Sequence, residues 1–259
     1  NVYCLAWNQQ GTYLAIGGKS ANNAVNTITV WDVVKPDVVR ILNTEEKNQD
    51  CFSLAWKEGS VTAGTCQYVY QWDVSDLNHD QHERQTKNVF PNNKIQNMAD
   101  GWIRTAQWSI NNSKLATITN NGNMCIYNKD STLIHDTNAH GNLSFPLLQW
   151  CPWDDHIIAT CCKDGYLKVW GVQQDITLVK DIEHESGIYN IKWIPSKKAI
   201  ITAHENKKIV LWEYPSLSII RTMKGHTCIP HYLALNADKS AMVSKSGKEM
   251  IFWKPFDQF

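Results

Sequence analysis

Three groups of side chains in this chain of 259 residues have the types and spacing to do chemistry. His79-x-x-His82, with Asp76, Asp80 and Glu83 around it, offers the imidazoles and carboxylates from which metal sites are made. The stretch that carries them, Ser75 to Asp100, is rich in Asn, Gln and Asp and holds no Cys. It reads as a solvated or disordered loop, long enough to serve a partner. Vicinal Cys161-Cys162 supplies two thiols, but neither has an acid–base set beside it, and small buried thiols are common. The third group is His140, Thr160, Asp164 and Trp170, with partial copies at His184, Thr202, Trp212 and at His226, Ser244, Trp253. A loop His, a strand hydroxyl, a turn Asp and a strand Trp can satisfy one another in a protein interior, where polar groups persist only when partnered. Their expected role is structural. No GxGxxG, P-loop, GxSxG or HExxH occurs, so no catalytic, cofactor-binding or metal-binding residue is expected and the chain reads as a non-enzyme.

The elements that would hold these residues repeat. Trp7, Trp56, Trp108, Trp150 and Trp193, with Leu235 in the last copy, close a first hydrophobic strand. Trp31, Trp72, Tyr127, Trp170, Trp212 and Trp253 close a later one, at steps of 41, 55, 43, 42 and 41 residues. A period of about 42 with one insertion marks a propeller of four-stranded blades. In one copy, Pro146 to Trp150, His156 to Cys161, Tyr166 to Trp170 and Ile176 to Asp181 read as four strands. Lys163-Asp164-Gly165 reads as a hairpin turn in which Gly takes positive φ. Strands every 8–12 residues without helical period make the chain all-β. The spacing of His140, Thr160, Asp164 and Trp170 is that of the WD-repeat hydrogen-bond set. The expectation is one WD40 β-propeller domain over 1–259, with repeats near 1–50, 51–100, 101–141, 142–185, 186–226 and 227–259. Six blades are readable. The last repeat lacks an outer strand of its own, so closing material is expected upstream of Asn1, in a ring of seven.

Composition narrows the function. Lys plus Arg and Asp plus Glu each total 25, which argues against a general nucleic-acid or anionic-membrane binder. Hydrophobic residues make up 43% and include twelve Trp, enough for a core. No stretch approaches the length of a membrane span, and no signal peptide opens the chain. Eight scattered Cys without CxxC suit reduced thiols, hence nucleus and cytoplasm. Lys19 to Thr27, with Asn22, Asn23 and Asn26, reads as an enlarged hairpin tip, a flexible loop in preference to a docking surface.

The last three repeats are more specific. Gln149-Trp150-Cys151-Pro152-Trp153 followed by Ile157-Ile158-Ala159-Thr160 resembles the WCPW…LAT segment of the fizzy and fizzy-related family, activators of the anaphase-promoting complex. Ile200 to His204, then Ile209 to Ser216 with its Trp212-Glu213-Tyr214-Pro215-Ser216, is similar to that family's penultimate blade. Met223-Lys224-Gly225-His226-Thr227 is similar to its "LKGHT". The specific motifs lie within residues 149–227, though the resemblance covers most of the chain.

The resemblance implies a non-catalytic subunit that recruits substrates to a ubiquitin ligase by gripping short degrons, the KEN and destruction boxes, on the propeller rim. Its expected partners are ligase core subunits and degron-bearing proteins, with no membrane, nucleic acid, small-molecule substrate or cofactor. Asn120 stands where the family places an Asn of the KEN pocket, beside Asn121. It is either a ligand contact or a turn residue that tolerates left-handed geometry. Ile229 stands where the family has an Arg, so a guanidinium fork for a carboxylate is missing and the chain reads as a divergent member. The family's C-terminal Ile-Arg tail has no counterpart at Asp257-Gln258-Phe259. The alternative reading is a general WD40 scaffold subunit of another complex, of the chromatin or corepressor type.

Overall fold

In a computed structural model, residues 1–19, 24–78, 86–141, 145–236 and 238–254 are described. Their strands form six sheets, taken in order along the chain. The first joins Val2–Trp7, Tyr13–Gly18, Val25–Asp32 and Asp37–Lys47, with Lys87–Val89 added in parallel to the last of these. The second joins Ser53–Lys57, Ser60–Gly64, Tyr68–Asp73 and Asn93–Gln96, and the third Ile103–Trp108, Lys114–Thr119, Asn123–Asn128 and Leu133–Asn138. The fourth joins Leu147–Trp150, Ile157–Cys161, Tyr166–Val172 and Ile176–Glu183. Ile188–Ile194, Ala199–His204, Ile209–Glu213 and Ile219–Met223 make the fifth. The sixth has three described strands, Tyr232–Leu235, Met242–Ser246 and Glu249–Trp253. The chain divides into two compact units, Asn1–Asp136 and Thr137–Phe259.

Within each unit the sheets stack face to face. In the second, Ile200, Val210 and Trp212 pack with Leu167 and Val169 of the sheet before, while Ile201, Ile209 and Leu211 pack with Leu233 and Met242 of the sheet after. Alternate side chains of one strand therefore enter different cores, and every residue of Ala199–His204 is buried. That explains why middle strands read as continuous apolar runs where a one-faced strand would alternate. The first unit repeats the arrangement. Leu42, Val61 and Trp72 join its first two sheets, and Val69, Ile95, Ile103 and Leu115 join its second and third.

Two polar stretches differ from expectation. Within Ser75 to Asp100, Ser75–Asn78 forms a 3-10 turn, Lys87–Val89 pairs with the first sheet, and Asn93–Gln96 is the outer strand of the second. Buried Leu77 and Ile95 anchor it, and Asp76 pairs with the guanidinium of buried Arg40 at 2.7 Å, so Asp76 is committed to an Arg. These pieces are too short for periodicity to register. His79, Asp80, His82 and Glu83 lie outside the described residues, as do Asn22, Asn23 and Asp257-Gln258-Phe259. Asn26, expected in a flexible tip, is buried, and its amide donates to the carbonyls of Gly18 (3.0 Å) and Gln49 (2.8 Å).

Leu42 has no exposed surface, so Leu42→Ala is expected to lower unfolding free energy by about 2–5 kcal/mol in urea titration. Val34→Ala, at a side chain 74% exposed, is expected to change it by less than about 0.5 kcal/mol.

Candidate functional site

The rim of the second unit is built on a buried relay. Trp170 Nε1–H donates to Thr160 Oγ1 at 2.9 Å, and Thr160 lies 2.9 Å from His140 Nε2. His140 Nδ1 lies 2.6 Å from Asp164 Oδ2, and the other carboxylate oxygen accepts the Tyr166 N–H at 2.9 Å. With the carboxylate as acceptor, Nδ1 carries the proton and Nε2 accepts from the threonine hydroxyl, so every member has a partner. Burial opposes ionisation of Asp164, but His140, the Tyr166 N–H and the charge of Lys168 together outweigh it, and the carboxyl sits below its usual range. The relay ties the loop entering the fourth sheet, which holds His140, to the turn between its second and third strands. Gly165 closes that turn at φ +85°, where an added Cβ would lie 2.8 Å from the His184 carbonyl oxygen.

The two copies are altered. In the fifth sheet Trp212 donates to Thr202 Oγ1 at 2.7 Å, but Thr202 meets His204 Nε2 at 2.6 Å in place of His184. The His184 ring leans on His204 at 4.0 Å between centroids. His204 sits two residues after Thr202, on the same face of one strand, and that spacing was the available signal. In the sixth sheet Trp253 donates to Ser244 Oγ at 2.7 Å and Ser244 meets His226 Nε2 at 2.6 Å. Glu249 stands in for the turn Asp, 3.4 Å from His226 Nδ1, and it also accepts the Thr227 N–H and hydroxyl.

His140, Cys162 and Asp164 offer ligand atoms within 4.8 Å of one another, yet the imidazole and carboxylate are already bonded together. Burial raises the Cys161 and Cys162 thiols, so both stay protonated at neutral pH and lack the thiolate a nucleophile needs.

In the first unit, indoles find other acceptors. Trp108 donates to Thr62 Oγ1 at 2.9 Å and Trp72 to the Asn43 carbonyl at 3.1 Å. Asn120 clamps a loop. Its Oδ1 accepts the Trp102 N–H at 2.6 Å, its own N–H donates to the Trp102 carbonyl at 2.9 Å, and its Nδ2 donates to Asn121 Oδ1 at 3.0 Å. The left-handed position of that turn is Gly122, at φ +86°, so neither Asn120 nor Asn121 is there for tolerance of positive φ. Gly101, at φ +101°, lets the loop approach: a Cβ there would lie 2.2 Å from Asn120 Oδ1. Beside the clamp a recess of about 450 Å³ is lined by Cys66, Gln67, Gln96, Asn97, Asp100 and Trp102 among others. Tyr3, Phe52 and Trp102 stack across the three sheets, with centroids 5.7 and 5.4 Å apart. Asn120 and Asn121 thus belong to the first unit, and half-buried Ile229 to a loop of the second.

The aromatic stack went unread in the sequence, although an aromatic stands four to six residues ahead of each first-ladder position: Tyr3, Phe52, Trp102, Phe145, Tyr189 and His231. The arrangement offers amides, rings and loop backbone at one end of the sheets, chemistry suited to holding an extended peptide.

Two outcomes test the relay. Thr160→Val orphans the Trp170 indole N–H and His140 Nε2 and is expected to cost roughly 1–3 kcal/mol for each group in urea unfolding. Exposed Thr222→Val is expected to cost under about 0.5 kcal/mol. Burial, with His184 adding to it, pushes the His204 pKa down to about 3. The unfolded chain, near the ordinary value of about 6.5, takes the proton first. Stability is therefore intact above about 6.5 and falls as pH drops toward 3. Between pH 7 and 5 the loss is about 2 kcal/mol, and His204→Gln is expected to remove that part of the decline in urea titrations at both pH values.

A family model described as "WD domain, G-beta repeat" matches residues 138–171 and 176–213. The chain is 24% identical to the anaphase-promoting complex subunit cdc20 of Dictyostelium discoideum over 99% of its own length and 49% of that protein's. It is 27% identical to the APC/C activator protein CDH1 of Saccharomyces cerevisiae over 98% of its length and 42% of that protein's. Protein FIZZY-RELATED 1 of Arabidopsis thaliana is 24% identical over 98% of this chain and 51% of its own. The chain thus spans about half the length of the curated relatives it matches. A chain in a crystal structure of the mitotic checkpoint complex superposes with a TM-score of 0.81 at 20% identity, covering 99% of this chain and 75% of that one, and shows the fold to be a WD-repeat β-propeller. Along nearly its whole length the chain is similar to the Cdc20, Cdh1 and fizzy-related proteins, and its fold is that of a WD-repeat β-propeller.

Proposed function

We propose that the full protein is a non-catalytic activator subunit of the anaphase-promoting complex, and that its propeller receives short peptide motifs of substrates on the rim. The observation that carries this is the extent of the match. Proteins named as activators or subunits of that complex align along 98–99% of the chain, across all six sheets. A general scaffold in an unrelated assembly has no comparable support.

The rim supports the peptide part of the reading through its chemistry. Short loops held by Asn120 in one unit and by the His140–Asp164 pair in the other are pre-ordered, which reduces the conformational entropy lost on binding. Exposed rings at Trp102 and Phe145 offer contact area beside those polar groups. Asn121 and Ile229 are the proposed contacts. Asn120, whose oxygen is taken by the Trp102 N–H, acts through the loop it fixes. With isoleucine at 229 the module offers no guanidinium there, so its preferred peptide differs from one read by a bidentate Arg.

Affinity purification of the tagged full-length protein from its own cells, with mass spectrometry of the eluate, tests the assignment. Core subunits of the anaphase-promoting complex are expected to co-purify. An eluate that lacks them while containing another stable assembly overturns the proposal.

A further inference from the structure

On the second unit the loop ends of the fourth, fifth and sixth sheets bring two lysines into an aromatic frame. Lys163, in the turn beside Asp164, lies 4.2 Å from the ring centroid of Phe145 and 5.0 Å from that of Tyr189. Those two rings stack at 6.3 Å, and Tyr189 meets His231 edge-on at 5.0 Å. Asn190 donates to the His231 carbonyl at 2.9 Å and fixes the loop that carries it. Lys245 lies 5.6 Å from the ring of Tyr232, its cross-strand partner. Phe145 is 40% and Tyr232 60% exposed.

What this frame lacks is an anion. Among the described residues neither Lys163 nor Lys245 makes an ion pair with a carboxylate. Asp164 is taken by His140, and Glu205 meets the Tyr189 hydroxyl at 3.5 Å without reaching Lys163. A cation held by ring faces keeps N–H donors on its open side and has already lost rotamer freedom, so it is pre-ordered for an incoming acceptor. Burial, then Lys163 and Lys245 in that order, lowers the pKa of His231, so its imidazole is neutral near pH 7.

We infer that Lys163 and Lys245, framed by Phe145, Tyr189, His231 and Tyr232, form a receptor for an acidic side chain of an extended peptide. The rings supply apolar contact to the residues flanking that side chain, which a bare phosphate or a free anion would leave unused. The balanced charge of the chain argues for a peptide over a polyanion such as RNA, whose affinity grows with a broad basic surplus. The inference rests on the reading of the rim as a peptide receptor and names the chemistry of its ligand.

The test uses the full chain and fluorescein-labelled short peptides, read by anisotropy at low and physiological salt. One probe carries Phe-Glu-Glu-Phe in a Gly/Ser background, a second has Gln for both Glu, and a third has phosphoserine for both. The Glu peptide is expected to bind roughly ten-fold tighter than the Gln peptide. Lys163→Gln with Lys245→Gln is expected to abolish that preference while leaving the thermal unfolding midpoint unchanged. The charge-reversed pair K163E/K245E is expected to favour a Lys-containing analogue, which separates charge recognition from damage to the fold. Equal binding of Glu and Gln peptides overturns the inference. So does binding confined to the phosphoserine peptide, or a single-stranded RNA that outcompetes the Glu peptide. None of these outcomes depends on capture of the ligase, so this idea and the activator assignment can fail separately.

Discussion

A hydroxyl on a strand covered on both faces depends for its hydrogen bonds on donors and acceptors that the protein itself supplies, because stacked neighbours leave little room for water. Thr160, Thr202 and Ser244 occupy that position in the second unit and are fully buried. Each takes an indole N–H from the third strand and turns its remaining hydrogen-bonding capacity to an imidazole. The solution has a consequence beyond stability. Where the imidazole comes from the entering loop, as with His140 and His226, the bond fixes that loop against a turn of the same sheet. The rim geometry therefore follows from how the core disposes of a polar atom.

The two units answer the constraint differently, and the difference maps onto the comparisons. The "WD domain, G-beta repeat" model matches 138–171 and 176–213, which hold Thr160 and Thr202 with their indole and imidazole partners. In the first unit Gln49 serves a comparable end. Its side-chain oxygen accepts from the Thr65 hydroxyl at 2.9 Å and the Gln67 N–H at 3.1 Å, while its carbonyl takes the Asn26 amide. An amide can replace an imidazole there because both reach across one strand spacing and both can accept. What is lost is the acidic partner, and with it the recognisable pattern.

Legibility in the sequence tracked the range of the forces involved. The paired Trp ladders report stacking between sheets, a constraint repeated in every blade, and the strands around Trp150 and Trp170 fall within a few residues of expectation. Asp164-Gly165 was readable because a tight turn needs positive φ at one defined place. Lys87–Val89 was not readable, since a three-residue strand pairing in parallel with a distant sheet leaves no local period. The use of His204 in place of His184 left one trace, its two-residue spacing from Thr202, and otherwise depends on which of two rings packs closer to that hydroxyl. Asn120 stands in the turn that the sequence indicates, but its clamp on Trp102 is visible only once residues eighteen apart are neighbours.

The motifs that carry the family resemblance turn out to be scaffold. Trp153 of the WCPW segment packs edge-on against Trp193 at 5.2 Å and Tyr214 of the Tyr-Pro-Ser segment at 6.1 Å, and Trp193 meets Tyr214 at 5.3 Å. Such a cluster gains from edge-to-face geometry and burial, and losing any one ring would leave a void for the other two. A peptide-binding rim is under no such constraint, because its side chains face solvent until a partner arrives. Trp153 and Tyr214, which carry the resemblance, thus serve the packing between sheets. The shared motifs then speak for ancestry and architecture, and the residues that choose a ligand must be argued from their own surroundings.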